Sequence, residues 1–251
     1  MRWVILALLL ASPIAVAEDE AQRIAFSEGR YNEAVLLSAA EPSADNLAFS
    51  ARSLLAEAVS EPGFMPPAHL LNEAEAKARE AIAIAPDHVE ARLQLAIALS
   101  LKARPLSNRE AMRTGYGDEA KALAEAALLD DPNNAYAHGF MAVWHLEVRR
   151  RGGAIGGSVM GASVRKAHRH YNAAVQAVPD DASIHWQYAR ALTALNAKRY
   201  QDQIAKSLNA ALDCQAETQL EDVMQRRARA LQEELETKSW KQAGKTAANM
   251  L

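Results

Sequence analysis

The 251-residue chain has a single cysteine, Cys214. One thiol cannot form an intramolecular disulfide, and it excludes zinc sites built on cysteine pairs. Runs in which β-branched residues alternate with polar ones are nearly absent, which excludes a fold built from strands. Neither H-E-x-x-H nor G-x-S-x-G occurs, so zinc-peptidase and serine-hydrolase chemistry lack their carriers. Positive charge is not in excess: 28 Lys and Arg stand against 31 Asp and Glu, a net charge of −3 that argues against wholesale nucleic-acid binding. Long apolar runs are missing too. The best, Trp3 to Ala11, is ended by Pro13 and falls short of the roughly 20 residues that span a bilayer.

That short run has another meaning. Arg2 precedes it, and Ala15, Val16 and Ala17 follow it with the small-x-small pattern of a cleavage site. Residues 1–17 therefore read as a secretory signal peptide. Cleavage before Glu18 would leave 234 residues of net charge −4, and no cysteine lies beside the cut to carry a lipid anchor. The mature chain is expected in the periplasm, with no membrane-spanning segment.

What is abundant is alanine, and apolar residues recur at spacings of three and four, the period of an amphipathic helix. Three stretches align, 74–99, 120–145 and 167–192. Each places small or aromatic residues at i, i+4 and i+7: Ala74, Ala78 and Ala81; Ala120, Ala124 and Ala127; Ala167, Tyr171 and Ala174. Those positions share one helix face, and small side chains there let a neighbouring helix approach closely. A proline follows, Pro86, Pro132 or Pro179, which suits a helix margin. Asp87, Asn133 or Asn134, and Asp181 can then cap the next helix, in which Ala96, Ala142 and Ala189 recur.

This series resembles the tetratricopeptide repeat (TPR) family. An earlier unit, "GRYNEA" (29–34) with Pro42, resembles the end of a first repeat, and the helices after Leu192 resemble a degenerate last repeat and a cap. The resemblance implies an all-α, right-handed solenoid of about four hairpins plus a C-terminal capping helix. It would occupy residues 18–236, followed by a flexible tail, 237–251. It also implies a concave groove of the kind that binds peptides or proteins. Carried over position by position, the groove would be lined by Glu90, Leu93, Ile97 and Ser100, by Tyr136, Gly139, Val143 and Leu146, and by Ser183, Trp186, Arg190 and Thr193. That lining is largely apolar, with Arg190 placed to hold a carboxylate or phosphate. The spacing and the C-terminal "LQEEL" also resemble the TPR domain of the regulator of microtubule dynamics family, whose membrane association would favour a lipid-like ligand.

Two departures from the repeat stand out. Pro86, Pro132 and Pro179 lie 46 and 47 residues apart, where a TPR repeats every 34 or so. The excess forms two insertions of about 12 residues at equivalent places, which a solenoid puts on one edge. The second, "RGGAIGGSVMGAS" (151–163), has five glycines. It is no phosphate-binding loop, because no lysine follows the glycines and no strand precedes them. The glycines are expected to turn the chain, and Ile155, Val159 and Met160 to tuck against the solenoid or form a short helix. Arg104, Arg109 and Arg113 in the first insertion, with Arg149, Arg150 and Arg151 in the second, are expected to make a basic rim.

No catalytic, metal-ligating or cofactor-binding constellation emerges. His138 and His145 share a packed helix face, and His168 and His170, at i and i+2, point apart. The sequence is thus read as an exported, non-enzymatic TPR module that binds an envelope protein or peptide in its groove, as scaffold or adaptor. Two alternatives remain: a carrier or sensor of a lipid-like or other apolar anionic ligand, or the soluble accessory component of a membrane transporter. No cofactor or nucleic acid enters the expectation. A lipid or an anionic membrane surface stays open as a partner.

Overall fold

The computed structural model describes residues 13–61, 63 and 65–250, with side-chain environments from residue 20 onward. Residues 1–12, most of the expected signal peptide, lie outside the described residues. The expected cleavage point, between Ala17 and Glu18, falls within the first helix, α1 (Pro13–Ser27).

Helices pair as hairpins. α1 packs on α2 (Tyr31–Ser38), α3 (Ala44–Ser60) on α4 (Ala68–Ile84), and α5 (Val89–Ala103) on α7 (Tyr116–Asp130). Next, α8 (Ala135–Val159) packs on α9 (Val164–Ala177), and α10 (Ala182–Asn196) on α11 (Gln201–Asp213). The first helices of successive hairpins, α3, α5, α8 and α10, lie side by side along the inner face. Among the described residues all regular structure is helical. Five hairpins stand among the described residues, where about four were expected.

The small-residue face does what its spacing demands. Ala74, Ala78, Ala81, Ala120, Ala124, Ala127, Ala167 and Ala174 are fully buried, as are Ala96 and Ala189 in the partner helices. Turn residues fix the helix starts. Asn134 accepts from the Ala137 N–H, and Asp181 from those of Ser183 and Ile184. At α5 the cap is His88 rather than Asp87: its Nδ1 accepts from the Ala91 N–H at 3.1 Å. Each cap satisfies a donor that the helix leaves free and is worth about 1 kcal/mol.

Both insertions are ordered, and they touch. The first forms α6 (Asn108–Thr114), started by a Ser107–Glu110 capping box and ended at Gly115, whose φ of 70° is a glycine conformation. The second extends α8, with a break at Gly153 (φ 62°, ψ −150°) and an exit turn at Gly161 (φ 67°). Asn108 and Arg151 bond one another across the two insertions, and the Arg151 guanidinium also donates to the carbonyls of Ala103 and Leu106.

The C-terminal helices close the coil. α12 (Gln219–Thr237) packs on α10 and α11 and reaches across to α1 and α3. There the turn at Gly29 (φ 78°) lies so near Gln219 that a Cβ would fall 2.7 Å from its Cγ. Arg227 donates to the Val59 carbonyl, at the end of α3, at 2.5 Å. The stretch expected to be a flexible tail carries instead α13 (Trp240–Asn249). Ala243 and Ala247 bury it against α10, and a Cβ at Gly244 would stand 3.2 Å from the Thr193 carbonyl.

Candidate functional site

The inner face is not an open trough. Trp186 is fully buried in the main core with Met224, Ala228 and Leu231 of α12, and Leu146 and Val143 join the same cluster. Arg190, only 2 % exposed, donates to Glu147 at 3.1 Å and to the Ala247 carbonyl of α13 at 3.3 Å. Thr193 is buried beneath α13. Leu93 is interior for another reason: it packs with Ala127 and Ala137 where α5, α7 and α8 meet, and Ile97 is half-buried beside it. Of the residues expected to line a groove, Glu90, Ser100, Gly139 and Ser183 keep partial exposure, and Tyr136 is 44 % exposed. Around Trp186 the apolar face is covered by the chain itself, and an acyl chain seated there would have to displace α12.

The basic rim also resolves differently. Arg104 turns inward and donates to the last carbonyls of α13, Ala248 at 3.1 Å and Met250 at 2.6 Å. Burial and the like charge of Arg190 push its guanidinium down to about 9, so it keeps its proton at neutral pH. Arg150 pairs with Glu147 at 2.7 Å. Burial opposes ionisation of Glu147, but Arg190 and Arg150 outweigh it and hold the carboxyl below the usual range. Arg149 donates to the Ala154 carbonyl of its own segment, and Arg151 ties the insertions together. Only Arg109 and Arg113, on α6, stay exposed of the six. The inward cluster knits α5, α8, α10 and α13 at one end of the inner face.

A recess of about 550 Å³ lies where the ends of the coil meet, between α1 and α2, the end of α3, and α12. Arg30, Tyr31, Glu33, Glu57, Ser60 and Arg226 are among its walls. Three of these carry buried polar atoms: Glu57 Oε2 has no hydrogen-bond partner, and Tyr31 Oη and Ser60 Oγ interact only with each other. Burial pushes the Tyr31 phenol up, so it is a neutral donor. The other Glu57 oxygen accepts from Asn32 at 2.9 Å, and Arg30 is engaged by Glu28 and Glu33. Sequence reasoning missed this recess. Tyr31 appeared only as part of the repeat-like "GRYNEA", and the three segments of the wall are far apart in the chain.

The histidines form a packed group. His138 Nδ1 and His170 Nδ1 are 2.9 Å apart, and His138 Nε2 lies 3.0 Å from the Pro132 carbonyl. A carbonyl only accepts, so His138 is protonated on Nε2 and His170 donates from Nδ1. The His145 ring lies 5.5 Å from that of His170, and its buried Nδ1 has no partner. His168 turns away to the Tyr188 hydroxyl. Among the described residues no three ligating side chains are placed to hold a metal ion. Burial and the Asp180 carboxylate push the Cys214 thiol up to about 12, which keeps it from acting as a thiolate.

No family model matches the chain, and a search of curated proteins returned no match. Solved structures do match. The crystal structure of a thermophilic TPR protein from Thermus thermophilus superposes with a TM-score of 0.61 over 86% of this chain and 98% of its own, at 20% identity. The chain is an all-α helical-repeat protein with a TPR-like fold.

Proposed function

We propose that this protein is a non-enzymatic interaction module, a scaffold or adaptor that binds an extended segment of a partner protein at the recess between its first hairpin and α12. One observation carries this reading: in the wall of that recess the buried Glu57 Oε2 lacks a partner, and Tyr31 Oη and Ser60 Oγ have only each other. Leaving such a group unpaired costs about 1–3 kcal/mol, and the N–H and C=O groups of a bound peptide can supply what the chain does not. The TPR-like fold supports a role in protein binding, since hairpin repeats supply broad surfaces rather than deep catalytic clefts. The signal-like residues 1–17 support an envelope protein as the partner and the periplasm as the location. Among the described residues no helix is long and apolar enough to cross a membrane.

Photo-crosslinking in the native host tests this, with the reactive group placed at Glu33 beside the recess. The recovered partner is then cut to peptides, and each is titrated against the purified protein by calorimetry. Tyr31→Phe with Glu57→Gln should weaken the binding peptide by roughly tenfold or more, since two hydrogen bonds to buried groups are lost. Equal affinity in wild type and double variant would remove the recess as the site.

A further inference from the structure

Apolar side chains of the insertions are left in water. Met112 on α6 is 83 % exposed, and Ile155 and Val159 are 82 % and 81 % exposed. Ile155 and Val159 are four residues apart on the helical segment beyond the Gly153 break, so they share a face. They stand on the short helix expected as one alternative, beyond the break, while Met160 packs against Met141 and Trp144. Around Ile155 and Val159 the charge is of one sign. From 148 to 179 there is no Asp or Glu, while Arg149, Arg150, Arg151, Arg165, Lys166 and Arg169 are present. Arg165 and Arg169 are exposed and one turn apart at the start of α9, the helix that follows the apolar pair. Arg109 and Arg113 are exposed and one turn apart on α6, which the Asn108–Arg151 bonds hold against the break. The carboxylate of Glu110 among them is engaged by Ser107 in the capping box. All this sits on a chain whose net charge is −3.

We propose that this edge docks peripherally on an anionic lipid bilayer, with Met112, Ile155 and Val159 entering the interface and Arg109, Arg113, Arg165 and Arg169 meeting the headgroups. The chemistry favours a bilayer over a protein. A protein hot spot uses aromatic anchors set in packed pockets, whereas these are separate aliphatic side chains projecting outward with arginines around them. A bilayer interface accepts such side chains one by one and rewards basic residues near its surface. The proposal is independent of the recess.

Vesicle co-flotation of the full chain tests it. Vesicles of phosphatidylcholine with phosphatidylglycerol should carry the protein, pure phosphatidylcholine should not, and added salt should release it. Ile155→Ser with Val159→Ser, and separately Arg165→Glu with Arg169→Glu, should each weaken binding by roughly tenfold or more while leaving the thermal midpoint unchanged. Lys198→Glu with Lys206→Glu makes the same charge change on another exposed surface and should have little effect. A polarity-sensitive dye on Ile155→Cys, in a Cys214→Ser background, should shift to the blue on mixing with the anionic vesicles. The proposal fails if the anionic vesicles do not bind, if the control pair weakens binding as much as the arginine pair, or if the dye does not shift. It also fails if polyglutamate binds as tightly as the vesicles, with no dependence on Ile155 and Val159.

Discussion

His145 is buried and His170 half-buried beside it. Burial, with the neighbouring charges of Lys166 and Arg169, pushes both down to about 4, against an ordinary value near 6.5. Between those values the unfolded chain binds protons that the folded chain refuses, so stability rises with pH across that window. The contribution is complete above about pH 6.5 and is lost as pH falls below it, on the order of 1 kcal/mol per histidine at pH 5. Urea midpoints at pH 7.5 and pH 5 should differ less in the His145→Gln, His170→Asn variant than in wild type. An identical difference would show that these rings carry charge in the folded state. Little of this was legible in the sequence. The spacing of His138 and His145 put both on one packed face, but His170 comes from the neighbouring helix.

Among the elements, α13 departs furthest from expectation. Its sequence, Trp240 to Asn249, is short and rich in lysine and small residues, and it reads as a tail. It is a helix because Ser239 and Gln242 form a capping box and Ala243, Gly244 and Ala247 present a smooth face to α10. Backbone approach decides the packing, and a hydropathy pattern is nearly blind to it. Gly244→Val should therefore lower stability by about 1–3 kcal/mol, because its Cβ must displace the Thr193 carbonyl region. An unchanged denaturation midpoint would mean that α13 is not seated there. The hairpins before it were legible for the opposite reason. Ala74, Ala78 and Ala81 and their counterparts repeat in register with Pro86, Pro132 and Pro179, and a repeated local pattern survives reading one residue at a time. The contact between the two insertions was legible as well, since equivalent insertions in a solenoid share an edge. The exposure of Ile155 and Val159 was not, because it depends on how one glycine, Gly153, bends a helix.

At the scale of the whole molecule, the sequence showed an apolar inner face but not what covers it. Trp186 has the spacing of a groove residue, and that spacing is the same whether a foreign peptide or α12 lies above. The recess was hidden by distance along the chain, since residues 219–226 join 29–33 and 57–61 only when the coil closes. Closure by α12 is thus the claim from which the buried Trp186 and the recess both follow. Electron–electron distance spectroscopy between nitroxides at Asn32 and Arg226, both exposed and both beside the recess, measures it most directly. A single narrow distribution at short distance is the expected result. A broad distribution of long separations, as from an open coil with free ends, would contradict it.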